Sequence, residues 1–255
     1  MTQTSTACKN CGATLVGNFC QNCGQKADIH RITFGHLLHE FFHVLTHADK
    51  GILFLIKELS YRPGHVAKDY LNGQRKKYFN PLSFLIITSA IFALVAFKSG
   101  YFEAQEGMGS RSYGEVNSRY AFYMKQSTEV FVENGKLISI IVVVPLLTFL
   151  TWLYFGRPRY NFAEHLVIQS LIVGVVNVSM IVIFIPAFLL FGYPTINNII
   201  FQITFLVYQV IAYQQFFKDN LYVTIVKTIV IQILFIVFYW ILIFGFVFVR
   251  EQLFH

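Results

Sequence analysis

Charge is scarce in this 255-residue chain. Asp, Glu, Lys and Arg make up 13% of it, about half of what a water-soluble domain carries. Cysteine is scarcer still: there are four, and none lies beyond residue 23. That distribution excludes a disulfide-rich secreted scaffold, and the apolar composition excludes a disordered or collagen-like chain. Catalytic signatures are missing too. The sequence has no Gly-x-x-x-x-Gly-Lys phosphate loop and no His-Glu-x-x-His zinc-hydrolase helix. It has no Gly-x-Ser-x-Gly nucleophile elbow. Within the apolar stretches no series of Asp or Glu could relay protons, which points away from a coupled pump.

What the chain has is hydrocarbon. Hydrophobic residues reach 55%, with 28 Phe and 14 Tyr, and the mean hydropathy is +0.55. Five stretches are long and apolar enough to predict membrane helices: 82–102, 137–155, 166–191, 196–213 and 221–249. Pro145 and Pro186 fall inside them as expected kinks. Gln202 and Gln209 dilute the fourth, the weakest of the five. Residues 1–80 hold ten Lys or Arg against five Asp or Glu, whereas the loop 98–136 holds five of each. By the excess of basic residues on the cytosolic side, the N-terminus is expected in the cytosol and the C-terminus outside it. The expected location is a membrane whose cytosolic face carries the N-terminus. Asn177 is the strongly polar group nearest the middle of a span. Interhelical amide hydrogen bonds with Gln202, Gln209 or Gln232 would explain it without a substrate.

The cysteines form two knuckles, Cys8-Lys-Asn-Cys11-Gly and Cys20-Gln-Asn-Cys23-Gly. A two-residue gap lets both sulfurs of a knuckle face one ion, and the trailing Gly12 and Gly24 allow the left-handed turn that follows. Four thiolates suit Zn2+, with iron as the softer competitor. Two disulfides are the alternative. In a reducing cytosol the spacing favours the metal. Such a site is closed, so it builds a fold and offers no open position for chemistry. The expected organisation is a zinc ribbon over residues 1–30, interfacial amphipathic helices over 31–80 and a transmembrane bundle over 81–255.

Between ribbon and first span, helical periodicity places Phe34, Leu37, Leu38, Phe41, Val44, Leu45 and Ala48 on one face. His36, His39, His43 and His47 lie on the other, spread over about three turns, too far for one ion. They read as the polar side of a helix at the lipid headgroups. Arg62, Arg75, Lys76, Lys77 and Tyr78, followed later by Arg157, Arg159, Glu164 and His165, form a basic and aromatic membrane edge suited to anionic lipid. A specific headgroup or nucleotide-phosphate site is the sharper alternative for Arg75-Lys76-Lys77. Glu164 is expected to pair with Arg157 and Arg159.

Three motifs carry a resemblance: the cysteine knuckles, the run Arg62-Pro63-Gly64 … Asp69-Tyr70-Leu71-x-Gly73-x-Arg75-x-x-Tyr78-x-x-Pro81, and Tyr160-Asn161-Phe162-Ala163-Glu164-His165. Together they resemble a bacterial family catalogued as domain of unknown function 3667, multi-pass membrane proteins with an N-terminal zinc ribbon. The resemblance implies an all-α integral membrane protein and brings no activity with it. From the residues, the expected function is a non-enzymatic scaffold or assembly protein that recruits a protein partner through its cytosolic ribbon. The alternative is a transporter or lipid-handling protein with a site near Asn177, Glu164 and His165. An enzyme acting on lipid through Glu164 and His165 is a weaker variant of it. Lys9, Lys26 and Arg31 are too few to predict nucleic-acid binding.

Overall fold

The computed structural model describes residues 7–35, 51–101, 142–156, 159–192 and 194–254. Among them the architecture is all-helical, and the only β-type pairing is two isolated bridges near the N-terminus. Two short helices, α1 (Gly51–Tyr61) and α2 (Pro63–Leu71), precede the first long apolar helix, α3 (Pro81–Lys98). After the loop come α4 (Val144–Thr151) with a π-helical turn Trp152–Gly156, and α5 (Phe162–Ser179). A second π-helical turn, Met180–Phe184, leads from α5 into α6 (Ile185–Phe191). The chain closes with α7 (Pro194–Phe217) and α8 (Leu221–Phe254).

Four of these helical stretches are long and apolar enough to cross a membrane: Pro81–Lys98, Phe162–Phe191, Thr195–Phe217 and Leu221–Phe246. The expected span 137–155 is a shorter apolar helix over Val144–Phe155, and residues 137–141 lie outside the described set. The other four expected spans are present with shifted ends, because caps rather than hydropathy set them. Asn80 starts α3: its side-chain oxygen accepts from the Leu82 and Ser83 amides, with Pro81 in the first turn. Asn161 starts α5 through a full capping box with Glu164, four residues before the apolar run begins.

The two prolines sit where the helical geometry changes. Pro145 and Pro186 each occupy the first turn of an α segment, directly after π-helical residues. There the missing N–H costs little. At the second turn the Asn197 amide donates to the Phe184 carbonyl at 3.1 Å.

Helix α5 is the centre of the bundle. Thirteen of its eighteen residues are buried, and α3, α4 and α2 pack against it. Gly174 lets α3 approach: a Cβ there would sit 2.4 Å from the Phe84 ring. The main core joins Leu55 and Leu59 of α1, Val66 and Tyr70 of α2, and the inward faces of α3, α4, α5 and α7. A smaller cluster of Ala96, Tyr101, Met180, Phe184 and Ile185 closes the opposite end. Helices α7 and α8 are mostly exposed and apolar, as lipid-facing helices are. Asn177 is buried and donates to Ser89 Oγ at 2.9 Å, tying α5 to α3. Its partner is therefore a serine on the first span. Gln209 lies against Gln232 between α7 and α8 instead.

Candidate metal centre and its docking onto the bundle

Each cysteine knuckle is built the same way. The Cys8 amide donates to the Ala13 carbonyl and Gly12 donates back to Cys8, both at 2.8 Å; Cys20, Gln25 and Gly24 repeat this at the same distances. Gly12 and Gly24 have φ of +77° and +69°, the left-handed turn that brings the second cysteine round. Ala7 bridges Thr14 and Phe19 bridges Lys26, closing the two loops.

The four sulfurs converge within 4.8 Å of one another. Cys8 and Cys23 are 3.6 Å apart, and Cys11 and Cys20 are 3.5 Å apart. A disulfide would need about 2.05 Å, and all four thiols are free. Four thiolates around one tetrahedral cation, at metal–sulfur distances of about 2.3 Å, lie roughly 3.8 Å apart. The observed separations fit that geometry. The Ala13 backbone amide holds the Cys11 thiol down at about 6, and burial pushes Cys23 up to about 11. Sulfurs this close cannot all ionise without a counter-charge, which a bound cation supplies while displacing the protons.

The cysteine module is fastened to the membrane helices. Gln25, buried beside the second knuckle, donates from Nε2 to the Gly73 carbonyl at 2.8 Å. Its Oε1 accepts from the Arg75 and Lys76 amides at 3.2 Å each. Asn10 in the first knuckle accepts from the Lys77 amide at 3.0 Å. Gly73 has φ +109° and touches Lys9 and Ile29 so closely that a Cβ would lie 3.0–3.2 Å from them. The segment after the module then reaches α5. Arg31 grips both Glu164 oxygens at 2.7 Å, the Ile32 carbonyl accepts from Asn161 Nδ2 at 3.0 Å, and the Ile32 side chain enters the main core.

The basic and aromatic residues expected at one membrane edge divide among several roles. Arg62 donates to Glu58 Oε2 at 2.6 Å and to the Tyr78 hydroxyl at 2.8 Å, and Tyr78 donates to Asp69 at 2.9 Å. Tyr61 donates to the other Glu58 oxygen. The Tyr61 hydrogen bond, aided by Arg62, holds the Glu58 carboxyl below its ordinary range. This network locks α1, α2 and the approach to α3 together. Arg75 donates to the His30 carbonyl at 2.7 Å. Lys76 and Lys77 serve the docking through their backbone amides, and Lys77 Nζ lies 5.0 Å from the centre of the Tyr78 ring.

Glu164 pairs with Arg31, and among the described residues the expected partner Arg159 is turned elsewhere. Arg159 caps the Phe217 carbonyl at 2.8 Å, and Arg157 lies outside the described residues, as do His36, His39, His43 and His47. His165 is fully buried, stacked on Phe217 and edge-on to Tyr160. Neither of its ring nitrogens has a hydrogen-bond partner among the described residues. Gln25, Asn10 and Arg31 are the residues that sequence reasoning missed. Nothing in local spacing marks them, since their partners lie 48 to 133 positions away.

The centre of this assembly coincides with a recognisable segment. No curated protein and no solved structure matches the chain. Residues 49–93, from the start of α1 into the middle of α3, match the model of a family described as "Protein of unknown function (DUF3667)".

Proposed function

We propose that this protein is a non-catalytic membrane scaffold in which a zinc ribbon, held by Cys8, Cys11, Cys20 and Cys23, caps the cytosolic end of a five-span bundle and presents a surface to a protein partner. The observation that carries the reading is the docking through Gln25 and Arg31. A four-thiolate site has no vacant position for substrate, and its attachments run to backbone and to a helix cap. The motif residues of the matched segment are likewise engaged inside the protein: Arg62 with Glu58, Asp69 and Tyr78, and Gly64 against α7. On the outer side of the module, Val16 and Phe19 are 78% and 60% exposed. They are the apolar contacts this reading offers to a partner.

Five crossings are supported by the alternation of helix ends. Phe155 at the end of α4 stacks on Phe217 at the end of α7, and Arg159 before α5 bonds the same corner. Three connections thus share the module's side, as α3, α4, α5–α6, α7 and α8 alternate in direction. With basic residues gathered on that side, the N-terminus is cytosolic and the membrane is a bacterial inner membrane in this reading.

The test is affinity capture of the full chain from mildly solubilised membranes, beside a Val16→Ser/Phe19→Ser variant. The account expects a stoichiometric protein partner that is lost from the variant while bound metal and helicity are kept. Equal capture by both proteins would refute the docking role. One observation favours the lipid-handling alternative: the unpartnered nitrogens of buried His165 sit one turn from Gln169, whose Oε1 is also unpartnered. In that reading a small polar ligand or waters enter between α4, α5 and α7. His165→Phe would then abolish transport, whereas the scaffold reading expects the variant to fold and keep its partner.

A further inference from the structure

Three cations from three separate elements meet at the module-side end of α7. Lys68, in the last turn of α2, places Nζ 6.0 Å from the centre of the Phe216 ring. Arg159, just before α5, donates from Nη1 to the Phe217 carbonyl at 2.8 Å, and its guanidinium lies 5.6 Å from the centre of the Tyr160 ring. Tyr160 in turn packs against Phe216, ring centres 4.7 Å apart. Lys218 is the next residue after the helix and is exposed.

A helix C-terminus presents about half a negative charge; the end of α7 accounts for Arg159 and the end of α2 for Lys68, which leaves Lys218 and the gathering of all three at one corner unexplained. The nearby carboxylates are engaged elsewhere: Asp69 with Arg62 and Tyr78, Glu164 with Arg31, Asp219 with Lys227. Among the described residues none pairs with Lys68, Arg159 or Lys218. Burial first, then Lys218 and Arg159, lower the Lys68 pKa.

The backbone adds a second observation. Lys218 has φ +59° and is the sole non-glycine with a positive φ among the described residues. Glycine or asparagine is the favoured residue at this position after a helix. Lys218 thus keeps a cation at a position whose conformation favours glycine or asparagine.

We propose that Lys68, Arg159 and Lys218 form a binding site for a phosphate-bearing anion, the headgroup phosphate of an anionic phospholipid. Arginine and lysine together are suited to phosphate oxygens. The site lies where α7 leaves its apolar stretch, whose Val207 and Ile211 are exposed, so a headgroup can reach the cations while its chains stay in lipid. The inference is independent of the scaffold reading.

Native mass spectrometry of the full-length protein in mild detergent tests it, with titration by phosphatidylglycerol, by phosphatidylcholine, and by phosphatidylglycerol in the presence of inorganic phosphate. Lys68→Gln and Lys218→Asn are compared with Lys57→Gln, an equal charge loss at an exposed position of α1. Asparagine suits the positive φ, so Lys218→Asn keeps the fold and decides the matter if Lys68→Gln does not express. The expected result is a preference for phosphatidylglycerol that drops about fivefold with each site variant and stays within about twofold for Lys57→Gln. An equal drop in all three variants would reduce the site to diffuse surface charge and overturn the proposal. Wild-type binding that does not separate the two lipids would also overturn it. Displacement by inorganic phosphate at the affinity of the lipid would overturn the lipid assignment in favour of a soluble phosphate.

Discussion

Glu164 shows how much one side chain can join. It caps its own helix through the Asn161 amide, at 2.8 Å, while both its oxygens hold Arg31, 133 residues away. Glu164→Gln keeps the shape and removes the charge. The expected loss is about 1–2 kcal/mol, the scale of a charged hydrogen bond with one exposed partner. Thermal unfolding of the purified protein would measure it, and Arg31→Gln should cost at least as much, because it leaves the buried Glu164 carboxylate without its cation, whereas the exposed Arg31 left by Glu164→Gln can rehydrate. Glu58 adds a pH dependence. Its carboxyl is held below the ordinary value by Tyr61 and Arg62, so this stabilisation is complete above the unfolded pKa of about 4.3 and fades as pH falls through the lower folded value. The unfolding midpoint should therefore drop below about pH 4. Glu58→Gln should lower the midpoint at pH 7 and flatten that acid limb. An unchanged acid limb would remove Glu58 from the account.

At the scale of elements, close approach sets the interfaces. Gly64 puts α2 against the backbone of α7, and a Cβ there would lie 2.3 Å from the Ala212 carbonyl oxygen. Backbone cannot swing aside as a flexible side chain can, so Gly64→Ala should cost about 1–3 kcal/mol by overpacking. Urea unfolding of the detergent-solubilised variant is the measurement. The long helices themselves were legible in the sequence because apolar length is a local signal, whereas their Asn-capped starts were not read from it. The sulfur cluster was legible for the same reason: two knuckles and two glycines lie within seventeen residues. The docking was not, since Gln25 bonds to backbone groups and backbone acceptors leave no trace in sequence. Arg31 counted only as one stray cation, and the true partner of Glu164 lay on the wrong side of every local window. The π-helical turns before Pro145 and Pro186 were also hidden, because proline signals a break in a helix without saying how the chain repairs it.

At the scale of the molecule, the chain couples a four-cysteine cluster to the end of a bundle of membrane-capable helices. The topology predicts that a cysteine introduced in the loop 104–130 reacts with an impermeant thiol reagent in intact cells, while one at exposed His65 does not. Labelling at His65 alone would invert the orientation. The central claim is that the cysteine module, once it holds a metal, latches residues 72–77 and the start of α5. Hydrogen–deuterium exchange on the purified full-length protein, before and after zinc is removed by a chelator, tests that claim most directly. Metal loss should raise exchange at Arg75, Lys76 and Lys77, whose amides donate to Gln25 and Asn10, and leave the cores of α3 and α5 protected. Unchanged exchange over 72–77 after complete metal removal would contradict the account.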